Sequence, residues 1–413
     1  MVKPSMSRLM PILAVMGPGI IAAAAGNDAG AVATYSSAGA AYGYSLLWLL
    51  LIAYGSLALI EEMVARMGAV TGKGLSDLIR ENYGVRWTIL AMLVLLVANV
   101  AVTVSEFAGI AAGFEIFGVS RYVAVPLAAV FVWWMVVHGS YRSVEKLLIG
   151  LALLLLSYVA AGFIVHPDPA AVARGILVPT FHLDTSFVLL AIAIVGTTIC
   201  PWMLFYLQSS VVDKGVRMPE YGLIRLDVLF GVVAAAIVAF FLIVVTAATL
   251  YPQGILVENA ADAALALSPL VGPFAAFLFA GGLIGASLLS AFSLPLSTSY
   301  AICEAFGWEA RISDSFWDAP VFFSLYTALI VIGGLMVLIP GLSLIQIMLL
   351  AQIMNGLLLP VALVFILLLS NNRRLMGEQA NGRVGNYLGW GVTAAMLVLN
   401  GVLLVTGVGG LVA

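Results

Sequence analysis

The chain contains few charged residues for its length. Of 413 residues, 17 are Lys or Arg and 20 are Asp or Glu, which is 9 % of the chain, whereas about 25 % is usual in a soluble domain. Hydrophobic residues make up 63 % of the chain. A surface of this composition does not stay dispersed in water, so most of it must face lipid. The composition excludes a water-soluble globule and predicts a multi-pass protein of the cell membrane.

The low net charge, the few cysteines and the absence of catalytic motifs exclude further classes of protein. A net charge of −3 provides no basic stripe to neutralise phosphates, so we expect no nucleic-acid partner. Two cysteines, Cys200 and Cys303, lie in apolar stretches and give no disulfide framework. The chain has no HExxH, GxSxG or phosphate-loop motif, and neither cysteine has a nearby histidine. We therefore expect neither an enzyme nor a bound cofactor.

Long apolar runs are abundant. A helix rises 1.5 Å per residue and the hydrocarbon layer is about 30 Å thick, so one crossing needs about 20 apolar residues. Runs of this length lack the short apolar/polar alternation of a membrane barrel, which predicts an all-α fold. The chain contains eleven such stretches: 10–37, 44–67, 87–112, 122–140, 145–166, 186–212, 224–249, 270–304, 319–340, 343–370 and 385–411.

Basic residues predict the orientation of these spans. Lys3 and Arg8 precede an apolar run as in a signal peptide, but the run continues through Asp28, so we assign it to the first span. With the N-terminus in the cytoplasm and the C-terminus outside, only Arg121 and Arg174 lie on the outer side. The cytoplasmic side then holds fifteen basic residues: Lys3, Arg8, Arg66, Lys73, Arg80, Arg86, Arg142, Lys146, Lys214, Arg217, Arg225, Arg311, Arg373, Arg374 and Arg383.

Two spans are interrupted by residues that disfavour a helix. Residues 25–31 of the first span contain Gly26, Asn27, Asp28 and Gly30, and an aspartate at the bilayer centre costs about 2.5–3.5 kcal/mol. Residues 196–202 of the sixth span contain Pro201, which leaves carbonyls of the preceding turn without donors. We expect a non-helical break in each span.

The two breaks lie five spans apart, so the second half enters the membrane from the opposite side. Broken helices at matching positions are typical of an inverted repeat with a substrate site at the membrane midplane. We predict a first repeat over 10–166, a second over 186–370 and an additional helix over 385–411. Unwound carbonyls and the charge of Asp28 favour a cation as the substrate.

Several segments resemble the natural resistance-associated macrophage protein (NRAMP) family of divalent-metal transporters, over nearly the whole chain. The resemblance implies a LeuT-like fold of five plus five helices, a divalent cation as the substrate, and a metal site between the two breaks. It is carried by Gly17-Pro18-Gly19, by residues 38–44 (AGAAYGY) and by residues 65–72 (ARMGAVTG).

The family's metal motifs are only partly present. Asp-Pro-Gly-Asn of the first span corresponds to Asp28-Ala29-Gly30-Ala31, and Met-Pro-His of the sixth to Cys200-Pro201-Trp202. The resemblance therefore implies metal ligands at Asp28, at the carbonyls of Ala25 and Thr197, at the Thr197 hydroxyl, and at Gln352, with Asn355 one turn later as a weaker candidate. Cys200 is expected to be a protonated space-filler, although ligation by its sulfur stays open. Asn27 and Ala31 are expected beside the site.

Loss of the methionine and the asparagine leaves a hard, oxygen-rich site. Mg²⁺ keeps much of its own water and needs few protein ligands, so this pattern suits it. It resembles the bacterial NRAMP-related magnesium transporters, which implies uptake of Mg²⁺, with Mn²⁺ as a second substrate.

The residues that form the proton route in the proton-coupled family members are also only partly present in this chain. Trp202 and Thr103 stand where those members have a histidine and an aspartate, and Glu106 remains of the acidic pair, at some distance from Asp28. We therefore expect transport without protons, by a monomer. The alternatives are a proton-coupled Mn²⁺/Fe²⁺ transporter, a Na⁺-coupled carrier of small solutes and, from composition alone, a passive scaffold.

Overall fold

The computed structural model describes residues 26–137, 150, 153–182, 184–309 and 317–412, with side chains described as far as 403. Every regular element within these ranges is a helix, so the predicted all-α fold class is confirmed. The α-helices are α1 (Ala29–Tyr42), α2 (Leu47–Thr71), α3 (Leu75–Tyr83), α4 (Val85–Ile116), α5 (Arg121–Val137), α6 (Ser157–Ile164), α7 (Pro169–Leu177), α8 (Thr185–Thr198), α9 (Pro201–Asp213), α10 (Tyr221–Thr249), α11 (Ala260–Leu265), α12 (Ser268–Val271), α13 (Ala275–Phe306), α14 (Pro320–Val337), α15 (Leu344–Ser370), α16 (Arg373–Met376) and α17 (Arg383–Val412). Short 3₁₀ turns occupy Leu153–Leu156, Met218–Glu220, Tyr251–Gln253, Gly272–Phe274 and Gly377–Gln379.

Many of these helices are long enough to cross a bilayer. Among the described residues, eight helices or joined helix pairs are sufficiently long and apolar, and a ninth span results if α6 and α7 are counted as one. The helix α5 has 17 residues and is slightly shorter. Parts of the predicted first, fourth and fifth spans, residues 10–25 and 138–149, lie outside the described residues. The count of eleven crossings and the orientation of the termini therefore stay predictions.

The fifth predicted span, 145–166, ends close to its expected limit, but a bend and a further helix follow it. The helix α6 ends at Ile164, and the chain then bends by 117° into α7, for which no helix was predicted. A local signal explains α7, because Asp168 accepts a hydrogen bond from Ala170 N at 3.0 Å and Pro169 occupies the first helical position. An aspartate cap followed by proline is a common start of a helix.

The core of the molecule lies where α1, α4, α8 and α15 meet. The helix α4 packs against α13 and α15, while α1 packs against α8, α10 and α15. The helices α8 and α15 also pack closely on each other. This arrangement brings the start of α1, the end of α8 and the middle of α15 to one place, beside the middle of α4.

Candidate metal centre

The first break ends earlier in the chain than predicted. The helix α1 begins at Ala29, because Asp28 caps it with an extended backbone (φ −73°, ψ −177°) and its Oδ1 accepts a hydrogen bond from Ala31 N at 2.8 Å. The expectation that residues 29–31 are non-helical is therefore wrong. An aspartate cap satisfies one of the free N–H groups at a helix start. Asp28 is 1 % exposed, and Ala25, whose carbonyl was expected to bind metal, lies outside the described residues.

The second break is short. The helix α8 ends at Thr198 and α9 begins at Pro201, so only Ile199 and Cys200 separate them. The Cys200 thiol donates hydrogen bonds to the carbonyls of Gly196 and Thr197, each at 3.3 Å. A thiol that donates carries its proton, so the contacts favour the space-filling role expected for Cys200 over ligation by a thiolate.

Two amide side chains on α15 connect the two breaks. Gln352 Nε2 lies 3.4 Å from Asp28 Oδ1, and Gln352 Oε1 accepts a hydrogen bond from Asn355 Nδ2 at 3.0 Å. Asn355 Nδ2 also lies 3.4 Å from Cys200 Sγ. The predicted residues Asp28, Gln352, Asn355 and Cys200 therefore form one continuous polar chain across the middle of the protein. All four are at most 1 % exposed.

Glycines allow these helices to approach one another. A Cβ atom on Gly30 would lie 1.9 Å from Gln352 Nε2. A Cβ atom on Gly196 would lie 2.2 Å from the Gln352 carbonyl oxygen. Both distances are shorter than any real contact between such atoms. At Gly196 the contact is with backbone atoms of α15, so only glycine fits there, whereas at Gly30 the Gln352 side chain would have to move.

Glu106 lies closer to the site than the sequence analysis expected. Its Oε2 is 3.4 Å from Ala29 N, the first amide of α1, and its carboxyl group lies within hydrogen-bonding reach of the Asp28 carboxyl group. The expectation of a distant Glu106 is therefore wrong, because α4 packs against α1 at this level. Two buried carboxylates this close repel each other unless a proton or a cation lies between them.

Thr103 and Trp202 are buried but do not join the polar chain described above. The Thr103 hydroxyl donates to the Asn99 carbonyl at 2.7 Å, within its own helix. Trp202 is 1 % exposed and packs with Val102 and Cys200. Neither side chain can carry a proton, so each acts here through packing.

The centre presents oxygen atoms that have no protein partner. They are buried and belong to two carboxyl groups, two amides and one hydroxyl. Within the described part of the chain, no group of three His, Cys, Asp or Glu side chains is arranged to hold a metal. Carboxylate and neutral oxygens suit a hard cation that retains part of its water. The unpartnered atoms are Asp28 Oδ2, Glu106 Oε1, Asn27 Oδ1, Asn355 Oδ1 and Thr197 Oγ1.

Tyr35 is a neighbour of the site that the sequence analysis missed. Its hydroxyl lies 2.9 Å from Thr198 Oγ1 and 3.4 Å from the Tyr54 hydroxyl, and the residue is fully buried. It therefore joins α1 to the last residue of α8. The sequence could have indicated Tyr35, because it lies two helical turns after Asp28 and residues seven apart lie on one face of a helix.

The fold and the polar centre define a helical membrane protein with a buried polar site between its helices. The structure is similar to a crystal structure of the Eremococcus coleocola manganese transporter, with a TM-score of 0.76 and 20 % identity over 98 % of this chain and 88 % of that chain. It is also similar to Mhp1, a nucleobase-cation-symport-1 family transporter in a closed conformation, with a TM-score of 0.57 and 16 % identity over 95 % of this chain and 90 % of that chain. These similarities confirm the LeuT-like fold.

The family follows from the sequence. A family model described as natural resistance-associated macrophage protein-like matches residues 19–406, so the chain belongs to that family. It is 29 % identical over 405 residues to the divalent metal cation transporter MntH of Bacillus subtilis, covering 95 % of this chain and 92 % of that protein. It is 30 % identical over 409 residues to the protein of the same name from Klebsiella pneumoniae, covering 95 % and 94 %. The predictions of a membrane transporter rather than an enzyme, and of the NRAMP family, are confirmed.

Proposed function

We propose that this protein imports divalent metal ions by alternating access of its two inverted repeats, with Mg²⁺ as the main substrate and Mn²⁺ as the second. We further propose that it belongs with the NRAMP-related magnesium transporters. The observation that carries the proposal is the set of unpartnered oxygens around Asp28 and Glu106, combined with a Cys200 thiol that donates hydrogen bonds to carbonyls. Both features favour a hard ion over a soft one.

The chemistry of Mg²⁺ fits this donor set. Mg²⁺ demands near-octahedral oxygen ligands and releases its water reluctantly, so it is usually bound by one or two carboxylates plus waters. Asp28 and Glu106 supply two carboxylates, while Thr197 and Asn355 supply neutral oxygens. A bound dication also removes the repulsion between the two buried carboxylates.

Transport is proposed to need no coupled proton. Trp202 and Thr103 offer no titratable group, and the Thr103 hydroxyl is bonded within its own helix. The membrane voltage is sufficient as a driving force. Since one charge crossing 100 mV is worth about 2.3 kcal/mol, a divalent ion gains about 4.6 kcal/mol, which supports accumulation of about a thousandfold.

A second candidate function is proton-coupled transport of Mn²⁺ or Fe²⁺. The contact between the Asp28 and Glu106 carboxyl groups favours it, because such a pair can hold one proton when no metal is bound. The two functions differ in whether this proton crosses the membrane with each metal ion.

The test is ion flux into liposomes that contain the purified protein and an internal pH dye. We expect Mg²⁺ uptake that Mn²⁺ inhibits, with no change in internal pH. Acidification during uptake would support the proton-coupled candidate, and its loss in Glu106→Gln with metal flux retained would identify the coupling group. Uptake of Mn²⁺ without Mg²⁺ would overturn the magnesium proposal. Thermal unfolding checks that the reconstituted protein is folded. If folded protein carries no metal flux, the proposal of metal transport is overturned.

A further inference from the structure

A deep groove runs along the side of the protein between α2, α8 and α17. Its volume is about 450 Å³, and almost all of its surface is apolar. Among the described residues that line it, the side chains with nitrogen or oxygen atoms are those of Trp48, Ser56 and His182. The Ser56 hydroxyl donates to the Ile52 carbonyl at 2.7 Å and therefore needs no outside partner. The walls thus present hydrocarbon along most of the length of the groove.

One end of the groove carries an aromatic cluster. The Trp48 and Phe181 rings lie 5.0 Å apart, and the His182 and Phe187 rings lie 5.1 Å apart. Aromatic and amphipathic rings of this kind gather where a membrane meets water. The indole Nε1 of Trp48 is buried and has no partner. This end therefore lies at the membrane interface and offers one unused hydrogen-bond donor.

The other end of the groove reaches the second break. Ile199, one of the two residues between α8 and α9, lines the groove and is fully buried. From Phe187 to Ile199 the chain rises about 18 Å at helical pitch, which is close to half of a hydrocarbon layer about 30 Å thick. The groove thus extends from the interface to the middle of the membrane, across one leaflet.

The outer rim of the groove faces the surroundings of the membrane spans. Ile52 is 56 % exposed and Val398 is 66 % exposed, although both lie within long apolar helices. Lipid tails are the medium around such helices, and one tail has the length and the chemistry that the groove offers. A phospholipid also carries ester and phosphate oxygens at the depth of an interfacial tryptophan.

We propose that this groove binds one acyl chain of a membrane phospholipid, whose polar end accepts a hydrogen bond from Trp48 Nε1. The bound chain covers the wall in which Ile199, the residue before Cys200, is buried, and so supports the backbone of the second break from the lipid side. The proposal does not depend on which ion the protein transports, because none of the groove residues belongs to the polar centre.

The test compares two tryptophan substitutions on neighbouring residues of α17. Ala395 lines the groove, whereas Ala394 is exposed and does not line it. Native mass spectrometry of the full chain, loaded with palmitoyl-oleoyl phosphatidylglycerol and then stripped stepwise with detergent, counts the lipids retained. We expect Ala395→Trp to lose one tightly held lipid per chain, and Ala394→Trp to retain it as the wild type does.

A milder variant tests the polar contact. Trp48→Phe keeps the ring but removes the donor, and we expect lipid affinity to fall about threefold to tenfold, the worth of one hydrogen bond. Hydrogen exchange of residues 196–203 should be slower in lipid-loaded wild type than in stripped protein, with no such difference in Ala395→Trp. Equal lipid retention by Ala395→Trp and Ala394→Trp would overturn the proposal. A wild type that retains a second copy of the chain instead of a lipid would also overturn it.

Discussion

Two helices of the broken spans begin on aspartate caps that are locally alike. Asp28 accepts a hydrogen bond from Ala31 N at 2.8 Å at the start of α1, and Asp184 accepts one from Phe187 N at 2.9 Å at the start of α8. Their surroundings differ. Asp28 is buried, whereas Asp184 is exposed and accepts a further hydrogen bond from the Tyr42 hydroxyl at 2.5 Å.

The difference between Asp28 and Asp184 shows that capping a helix and binding a cation are separate roles of an aspartate. Either aspartate starts a helix, and an exposed cap contributes about 1 kcal/mol to stability. Burial of a carboxylate also costs free energy, because its charge is removed from water. A partner must offset this cost. At Asp28 the neighbours are an amide and a second carboxyl group, from Gln352 and Glu106, and neither supplies the positive charge that would offset this cost.

The largest expected effect comes from neutralising the buried cap, with the same change at the exposed cap as the control. Asparagine caps a helix as well as aspartate does, so Asp28→Asn and Asp184→Asn both keep the cap and remove one charge. Losing the carboxylate from a buried cation site costs about 3–5 kcal/mol, so metal flux in Asp28→Asn should fall at least about a hundredfold. Asp184→Asn should transport at the wild-type rate. The measurement is initial flux in liposomes, with thermal unfolding as the check on folding.

Equal flux losses in the two variants would show that burial of Asp28 has no special role. Wild-type flux in folded Asp28→Asn would remove Asp28 from the proposed site.

An intermediate effect is expected from Gly30→Ala. The added Cβ would lie 1.9 Å from Gln352 Nε2, so the glutamine side chain must move away from Asp28. We expect about tenfold weaker metal affinity, equivalent to about 1.4 kcal/mol, measured as a rise in the half-saturating ion concentration. Gly55→Ala on α2 is the matched control, because its Cβ would meet nothing within 4 Å. If both variants bind metal as the wild type does, the glutamine does not orient Asp28.

The smallest expected effect is on how the thermal stability of the protein changes with pH. The hydrogen bond from the Tyr42 hydroxyl, with that from Phe187 N, lowers the pKa of Asp184 below its usual value. A lowered folded-state pKa stabilises the protein above the unfolded value of about 3.9, and this stability is lost as pH falls through the folded pKa. Because Asp184 is exposed, the contribution should stay below about 1 kcal/mol. Thermal unfolding between pH 5 and pH 3 should show a slightly larger drop for the wild type than for Asp184→Asn, and identical drops would contradict the assignment.

The amino-acid sequence predicts the class of elements well and their interruptions less well. The spans 44–67, 224–249 and 343–370 correspond to α2, α10 and α15 with small shifts at their ends. The first break ends earlier than predicted and the second is shorter than predicted, because glycine and proline indicate where a helix is weak but not how much of it a cap can restore. The bend between α6 and α7 was missed, although Asp168-Pro169 is a local signal for a new helix.

The amino-acid sequence by itself determined the membrane environment, the helical class, the family and the candidate carboxylate Asp28. These depend on composition and on motifs that act over a few residues. Only the tertiary structure decided that Glu106 lies beside Asp28, that Gln352 and Asn355 join the two breaks, and that Tyr35 bonds to Thr198. The reason is physical, since these contacts join residues far apart in the chain. Their distances depend on how closely the glycines of α1 and α8 allow α15 to approach.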